Sequence, residues 1–288
     1  MIDFRYHALS LVAVFLALGI GIVLGASVGD SLVSGADKDV RQSLHNDVVQ
    51  ARQEARDAQA KAAARNRVIQ AAAPFVSDDR LAGQRVAVVG LGGLPNDVES
   101  EVRKAVEGAG GSIDSTSDPK LPDDLGEIAT AVGGSPSDAA DPDGARRLGT
   151  KVGRAIVAGG RVARRLERAL PSAFHGDYAG ADGAVVYRAK PEDTSGKDAA
   201  AKRQADAVGQ FEVGVTEGLR SAHVPAVGVE QTDTDPSQIS WYRDRDLSTV
   251  DDVDEAGGQA ALVLVLAGEG GHYGVKKSAD APLPKPPG

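Results

Sequence analysis

The sequence predicts an α/β protein, with a parallel-sheet domain preceded by one transmembrane helix and an α-helical coiled-coil stalk. Three observations predict it. Residues 8–29 carry no charged side chain. Residues 37–73 contain no glycine or proline and repeat small apolar residues at 4-3 spacing. From residue 84 onward, short apolar runs alternate with helical stretches. Alanine, valine and leucine must supply most of the packing, because the chain is 42% hydrophobic but only 4% aromatic.

The uncharged run of residues 8–29 would form roughly 33 Å of helix, enough for a hydrocarbon core of about 30 Å. Its competitor is a cleaved signal peptide, with Gly25-Ala26-Ser27 as the small-residue cleavage site. The run is longer than a usual signal core, and its start sets only Arg5 against Asp3. By the positive-inside tendency, the amine and Arg5 at the start, against Asp30, Asp37 and Asp39 with Lys38 and Arg41 on the far side, tip the balance toward cytoplasmic residues 1–7 and an exported body. The expected location is the cell membrane, crossed once.

Every fourth residue of this run is small, and Ala17, Gly21, Gly25 and Gly29 share one helical face. Lipid gains nothing from such a groove, whereas a second helix can approach closely there. The face therefore predicts pairing between copies. The alternative is that glycine and alanine are simply common in membrane helices and in this chain.

Residues 30–74 read as the stalk. Leu44, Val48, Ala51, Ala55, Ala58 and Ala62 form a heptad seam, Arg65 interrupts it, and Ile69 and Ala72 resume it. An alanine seam is thin, but a paired membrane helix beside it would raise its effective concentration. A homodimer or higher homo-oligomer is expected. The competing reading is a single solvated helix packed on the domain. Pro74 is expected to end the helix.

Residues 84–276 read as a Rossmann-like α/β domain. The strands are "RVAVVG" (85–90), "GSIDST" (111–116), "GAVVYRA" (183–189), "VPAVGVE" (224–230) and "AALVLVLAG" (260–268), the last being the most apolar. Helices are expected over residues 96–109, 145–170 with a bend at Gly159-Gly160, and 197–222. Residues 117–144, with four prolines, read as loop. Continuous apolar strands between helices imply a parallel sheet covered on both faces. The proline-rich residues 277–288 read as a disordered tail.

Candidate chemistry is sparse. "GLGGLPND" (90–97) follows the first strand, where a phosphate loop would sit, but Pro95 occupies the position of the third glycine. Asp114 and Asp118 stand near the place of a ribose ligand. A tight strand-to-helix turn accounts for the same residues. "STVDDVDE" (248–255) concentrates Asp251, Asp252 and Asp254, which with His272 of "GGHYG" form the candidate metal ligands. The simpler readings are a helix cap from Ser248 and Asp251, and a turn at His272. Trp241, Tyr242 and Arg243 are the candidate partner-binding patch, against an ordinary packed loop. No catalytic constellation is present, so the expectation is a protein that is not an enzyme. No resident cofactor is expected. A net charge of −9 argues against nucleic acid as a partner.

Several stretches together resemble the MctB family of actinobacterial copper transport proteins. They are the start, "MIDFRYHALSLVAVFLALGIGIVLG", the stalk, and "VPAVGVEQTDTDPSQISWYRDRDLSTVDDVDEAGGQAALVLVLAGEGGHYGVKKSADAPLP". The resemblance implies a membrane-associated envelope protein with a role in copper export or copper homeostasis, and copper as a transported ion. Copper(I) prefers thiolate and thioether donors. The chain has no cysteine, and its one methionine is Met1. Transport would therefore rely on oligomers or partners. The alternative is a non-catalytic envelope scaffold, whose exported domain binds a protein partner in cell-wall assembly or division.

Overall fold

The computed structural model describes residues 4–285, with side-chain surroundings described except at residues 4–8, 26–41 and 74. By internal contacts the chain divides into two units, Met1–Arg65 and Asn66–Gly288. One helix, α1 (Phe4–Ser77), supplies the described part of the first unit and the opening of the second. It runs to Ser77, past Pro74, where the sequence had suggested an end. Among the described residues, no helix is long and apolar enough to cross a membrane. The described part of the uncharged run, residues 9–25, would make roughly 26 Å of helix.

The second unit is α/β, as expected. It comprises β1 (Arg85–Leu91), α2 (Asn96–Gly108), β2 (Ser112–Ser117), α3 (Leu125–Ala131), α4 (Pro136–Ala140), α5 (Pro142–Ala158) and α6 (Gly160–Ala169). These are followed by β3 (Phe174–Gly176), β4 (Gly183–Arg188), α7 (Ala199–Arg220), β5 (Ala226–Val229) and α8 (Ile239–Arg243). The last elements are β6 (Ser248–Val250), α9 (Ala256–Leu266) and β7 (His272–Tyr273). The strands form one sheet in the order β3-β2-β1-β4-β5-β6-β7. Every pairing is parallel except that of the edge strand β3, which runs antiparallel to β2.

Alternation along the central strands separates two cores. Ala87 and Val89 of β1 join Ala184 and Val186 of β4 under the layer of α3, α5 and α7. Val86, Val88 and Val185 face the other way, toward α2 and α9. Between α5 and α7 the backbones are in close contact. A Cβ added at Gly149 would overlap the carbonyl oxygen of Phe211 and stand 2.9 Å from Val215 N. One added at Gly218 would stand 2.8 Å from Arg154 N. Gly149 and Gly153 on α5 thus face Gly214 and Gly218 on α7, two G-x-x-x-G faces that let the helices meet at backbone distance.

Two expectations are corrected. Residues 260–268 belong to the buried helix α9, not to a strand. A helix buried on every side shows no polar face, so its sequence carries no helical period. Topology settles the matter, because the parallel neighbours β6 and β7 require a crossover between them. Residues 117–144 are not loop throughout, since they contain α3, α4 and the start of α5. Pro136 and Pro142 stand at helix N-termini, where a missing N–H costs nothing. Asp141 caps α5 by accepting from Gly144 N at 2.7 Å. The expected bend at Gly159-Gly160 is present, as the break between α5 and α6.

The tail differs from its reading over the part described. Gly274 N donates to Ala281 O at 3.1 Å, Asp280 N donates to His272 O at 2.8 Å, and Leu283 packs on the core. Residues 286–288 lie outside the described residues.

Candidate functional site

On α1, Ala17, Gly21 and Gly25 are exposed, and a Cβ added at Gly21 or Gly25 would meet nothing within 4 Å. Gly29 lies outside the residues whose surroundings are described. From residue 9 to residue 23, every large apolar side chain is 53–73% exposed. Along the seam, Leu44 and Val48 are also exposed.

The four candidate metal ligands do not converge. Among the described residues, no group of three or more His, Asp or Glu side chains is arranged to hold a metal ion. Asp251 is buried and accepts from Val275 N at 2.8 Å and Lys276 N at 3.2 Å, which holds the C-terminal segment against β6. Asp254 accepts from Thr232 N at 2.7 Å. His272 Nδ1 and Thr249 Oγ1 share a hydrogen bond of 3.1 Å, and burial lowers the imidazole pKa. Asp252 is 3% exposed, and its Oδ1 has no partner. Burial, with the like charges of Asp251, Asp254 and Glu255, pushes its carboxyl pKa up to about 7. Ser248 begins β6, so Ser248 and Asp251 do not form the expected helix cap.

Trp241, Tyr242 and Arg243 do not form a patch. Tyr242 is fully buried under β5, where its ring occupies the space above Gly228. Its hydroxyl accepts from Arg188 N at 2.7 Å. Only Arg243 is exposed, donating to Ser278 O at 2.7 Å. Trp241 is half-buried, with the guanidinium groups of Arg188 and Arg245 at 4.4 Å and 4.0 Å from its ring centroid.

The glycine loop after β1 is a structural turn. A Cβ at Gly90 would overlap the Asp118 carboxylate and stand 2.9 Å from Leu94 Cβ. Asp118 Oδ1 is buried there without a partner. A carboxylate beside the loop repels a phosphate rather than receiving one. Asp114 is bonded to Ser112 Oγ.

The structure instead assembles a crevice that sequence reading missed. Strand order reverses between β1 and β4, and the carboxyl ends of these strands open onto a cavity of about 320 Å³. In open parallel sheets this is where ligands bind. Leu91 and Arg188 end the two strands, Leu121 closes one side, and the first three turns of α7 close the other. Arg188 Nε donates to Glu212 Oε2 at 2.8 Å, with the two side chains 9% and 7% exposed. Arg188 Nη1 donates to Gln238 Oε1. Burial raises the Glu212 pKa against the opposing pull of Arg188. The only early signal was an arginine ending an otherwise apolar strand, and its partner lies 24 residues away on α7.

These features define a doubly wound α/β domain preceded in the chain by a long helix, with a ligand-sized crevice at the switch point of its sheet. The chain belongs to the MctB family, described as copper transport outer membrane proteins, whose family model matches residues 1–284. Membership supports a role in copper transport and implies an envelope location. A search of curated proteins finds no match.

Proposed function

We propose that this protein is a membrane-anchored envelope component of copper export or copper homeostasis. Residues 8–29 cross the cell membrane once, residues 1–7 remain cytoplasmic, and the stalk of residues 30–74 carries the α/β domain outside the cell. Copies pair through the face of Ala17, Gly21, Gly25 and Gly29 and through the seam from Leu44 to Ala72. The observation that carries the anchor is the exposure of the apolar side chains over residues 9–23. A helix apolar on all sides requires lipid or protein around it.

Copper enters this reading as cargo. With no cysteine and Met1 as the one methionine, the chain lacks a soft-donor set for copper(I). Copper passage therefore depends on the assembled anchors or on a partner, and in this reading the domain carries no enzymatic role. The test is copper passage into liposomes carrying the full-length protein, beside a version lacking residues 1–29. Passage by the full-length form alone supports the conduit. No passage by either form would refute unaided transport by this chain.

The same poverty of soft donors favours a second reading, in which the exported domain is a scaffold for an envelope protein in cell-wall assembly or division. Loss of the gene would then cause envelope or division defects without copper sensitivity.

A further inference from the structure

We infer that the crevice at the carboxyl ends of β1 and β4 binds a small zwitterion, an α-amino acid with a short apolar side chain. The buried pair at its floor supplies the recognition. Arg188 spends Nε on Glu212 and Nη1 on Gln238, and Glu212 receives Arg188 on Oε2. Among the described residues Arg188 Nη2 and Glu212 Oε1 hold no hydrogen bond, yet neither is among the solvent-inaccessible unpaired atoms. Both side chains line the cavity and are more than nine-tenths buried. One donor and one acceptor of opposite charge are thus left without a hydrogen bond from the protein, beside the Trp241 ring that Arg188 faces and the charge of Arg245 that acts on Glu212.

Net charge selects the ligand. At the floor Arg188 and Glu212 neutralise each other; at the rim, in water, Lys197 pairs with Glu192 and Lys190 is exposed. A net anion or cation bound against this floor would leave an uncompensated charge out of water. A zwitterion leaves none, because its carboxylate meets Arg188 Nη2 and its ammonium meets Glu212 Oε1. Leu91, Leu121 and Val208 give the walls an apolar face for the side chain. The volume of about 320 Å³ lies at the small end of ligand pockets. This inference stands apart from membrane anchoring and from copper.

Trp241 reports on the site, because its ring centroid is 4.4 Å from the Arg188 guanidinium. The experiment titrates the full-length chain in detergent with L-alanine, L-valine and L-leucine, following Trp241 emission and the thermal midpoint. Isovalerate and isoamylamine, which carry only one charge each, are the controls. The expected result is a saturable emission change and a raised midpoint with at least one amino acid, and none with either half-molecule. Ala205→Leu, on the α7 wall of the cavity, should weaken the response by at least about tenfold while the unliganded emission is kept. If Ala205→Leu fails to fold, Ala201→Leu, on the same α7 wall, serves in its place, with the same loss expected. The inference is overturned if no amino acid gives a saturable response up to about 50 mM. An equal response to isovalerate or isoamylamine, or an unchanged response in the folded variant, also overturns it.

Discussion

Replacing Gly149 by alanine should destabilise the domain, although alanine is the better helix former. The added Cβ would overlap the Phe211 carbonyl oxygen and stand 2.9 Å from Val215 N. A comfortable carbon–oxygen contact is about 3.3 Å or more, and the obstacle is helix backbone, which cannot rotate aside. The two helices must separate by several tenths of an ångström at least. That opens the layer formed by Leu148, Val152 and Ile156 of α5 with Phe211, Val215 and Leu219 of α7. Overpacking of this kind costs about 1–3 kcal/mol, with a rigid obstacle at the upper end. The gain in helix propensity returns at most about 1 kcal/mol. The expected net loss is about 2 kcal/mol. Gly209→Ala on α7 is the control, because its Cβ would meet nothing within 4 Å. It should gain up to about 1 kcal/mol. Urea unfolding followed by Trp241 emission measures both, since Trp241 is the only tryptophan and reports the α/β unit alone. Equal stability for Gly149→Ala and Gly209→Ala would refute the argument from backbone contact.

The remaining predictions follow from the other sites. Gly21→Leu with Gly25→Leu should weaken crosslinking between copies in membranes, and unchanged crosslinking would count against the pairing face. The Asp252 pKa is raised in the folded state to about 7, so the folded protein holds a proton that the unfolded chain has lost. That contribution is fully present below about pH 4 and is lost as pH rises through about 7. Asp252→Asn should flatten the fall in stability between those limits, as measured by thermal midpoints across pH, and an unaltered profile would exclude Asp252 as its source. Glu212→Ala leaves Arg188 buried without its carboxylate and should cost about 3–5 kcal/mol in urea unfolding. Arg188→Met with Glu212→Leu should recover much of that loss, and a double variant as unstable as the single one would contradict it.

The apolar strands at residues 85–90, 183–189 and 224–230 could be read directly, because each is a short apolar run bounded by turn residues. The same rule failed at residues 260–268, where an equally apolar run is α9. Nothing local separates a central strand from a helix buried on every side. Prolines misled in the opposite direction, since Pro136 and Pro142 open helices rather than loops. The small-residue faces make the same point. Gly21, Gly25 and Gly29 drew attention because they sit in an uncharged run, whereas Gly149, Gly153, Gly214 and Gly218 sit among charges and form the tightest helix contact in the domain.

By itself the sequence determined the alternation of strand and helix, the uncharged N-terminal run and the lack of soft metal donors, because composition and local period carry that information. Tertiary structure alone decided which side chains meet. It buried Tyr242 under β5, dispersed Asp251, Asp252, Asp254 and His272, and brought Arg188 against Glu212 at the switch point. The physical reason is that strand order and helix crossing set these distances, and both are fixed by burying two faces of one sheet at once, a condition that no single stretch of chain expresses.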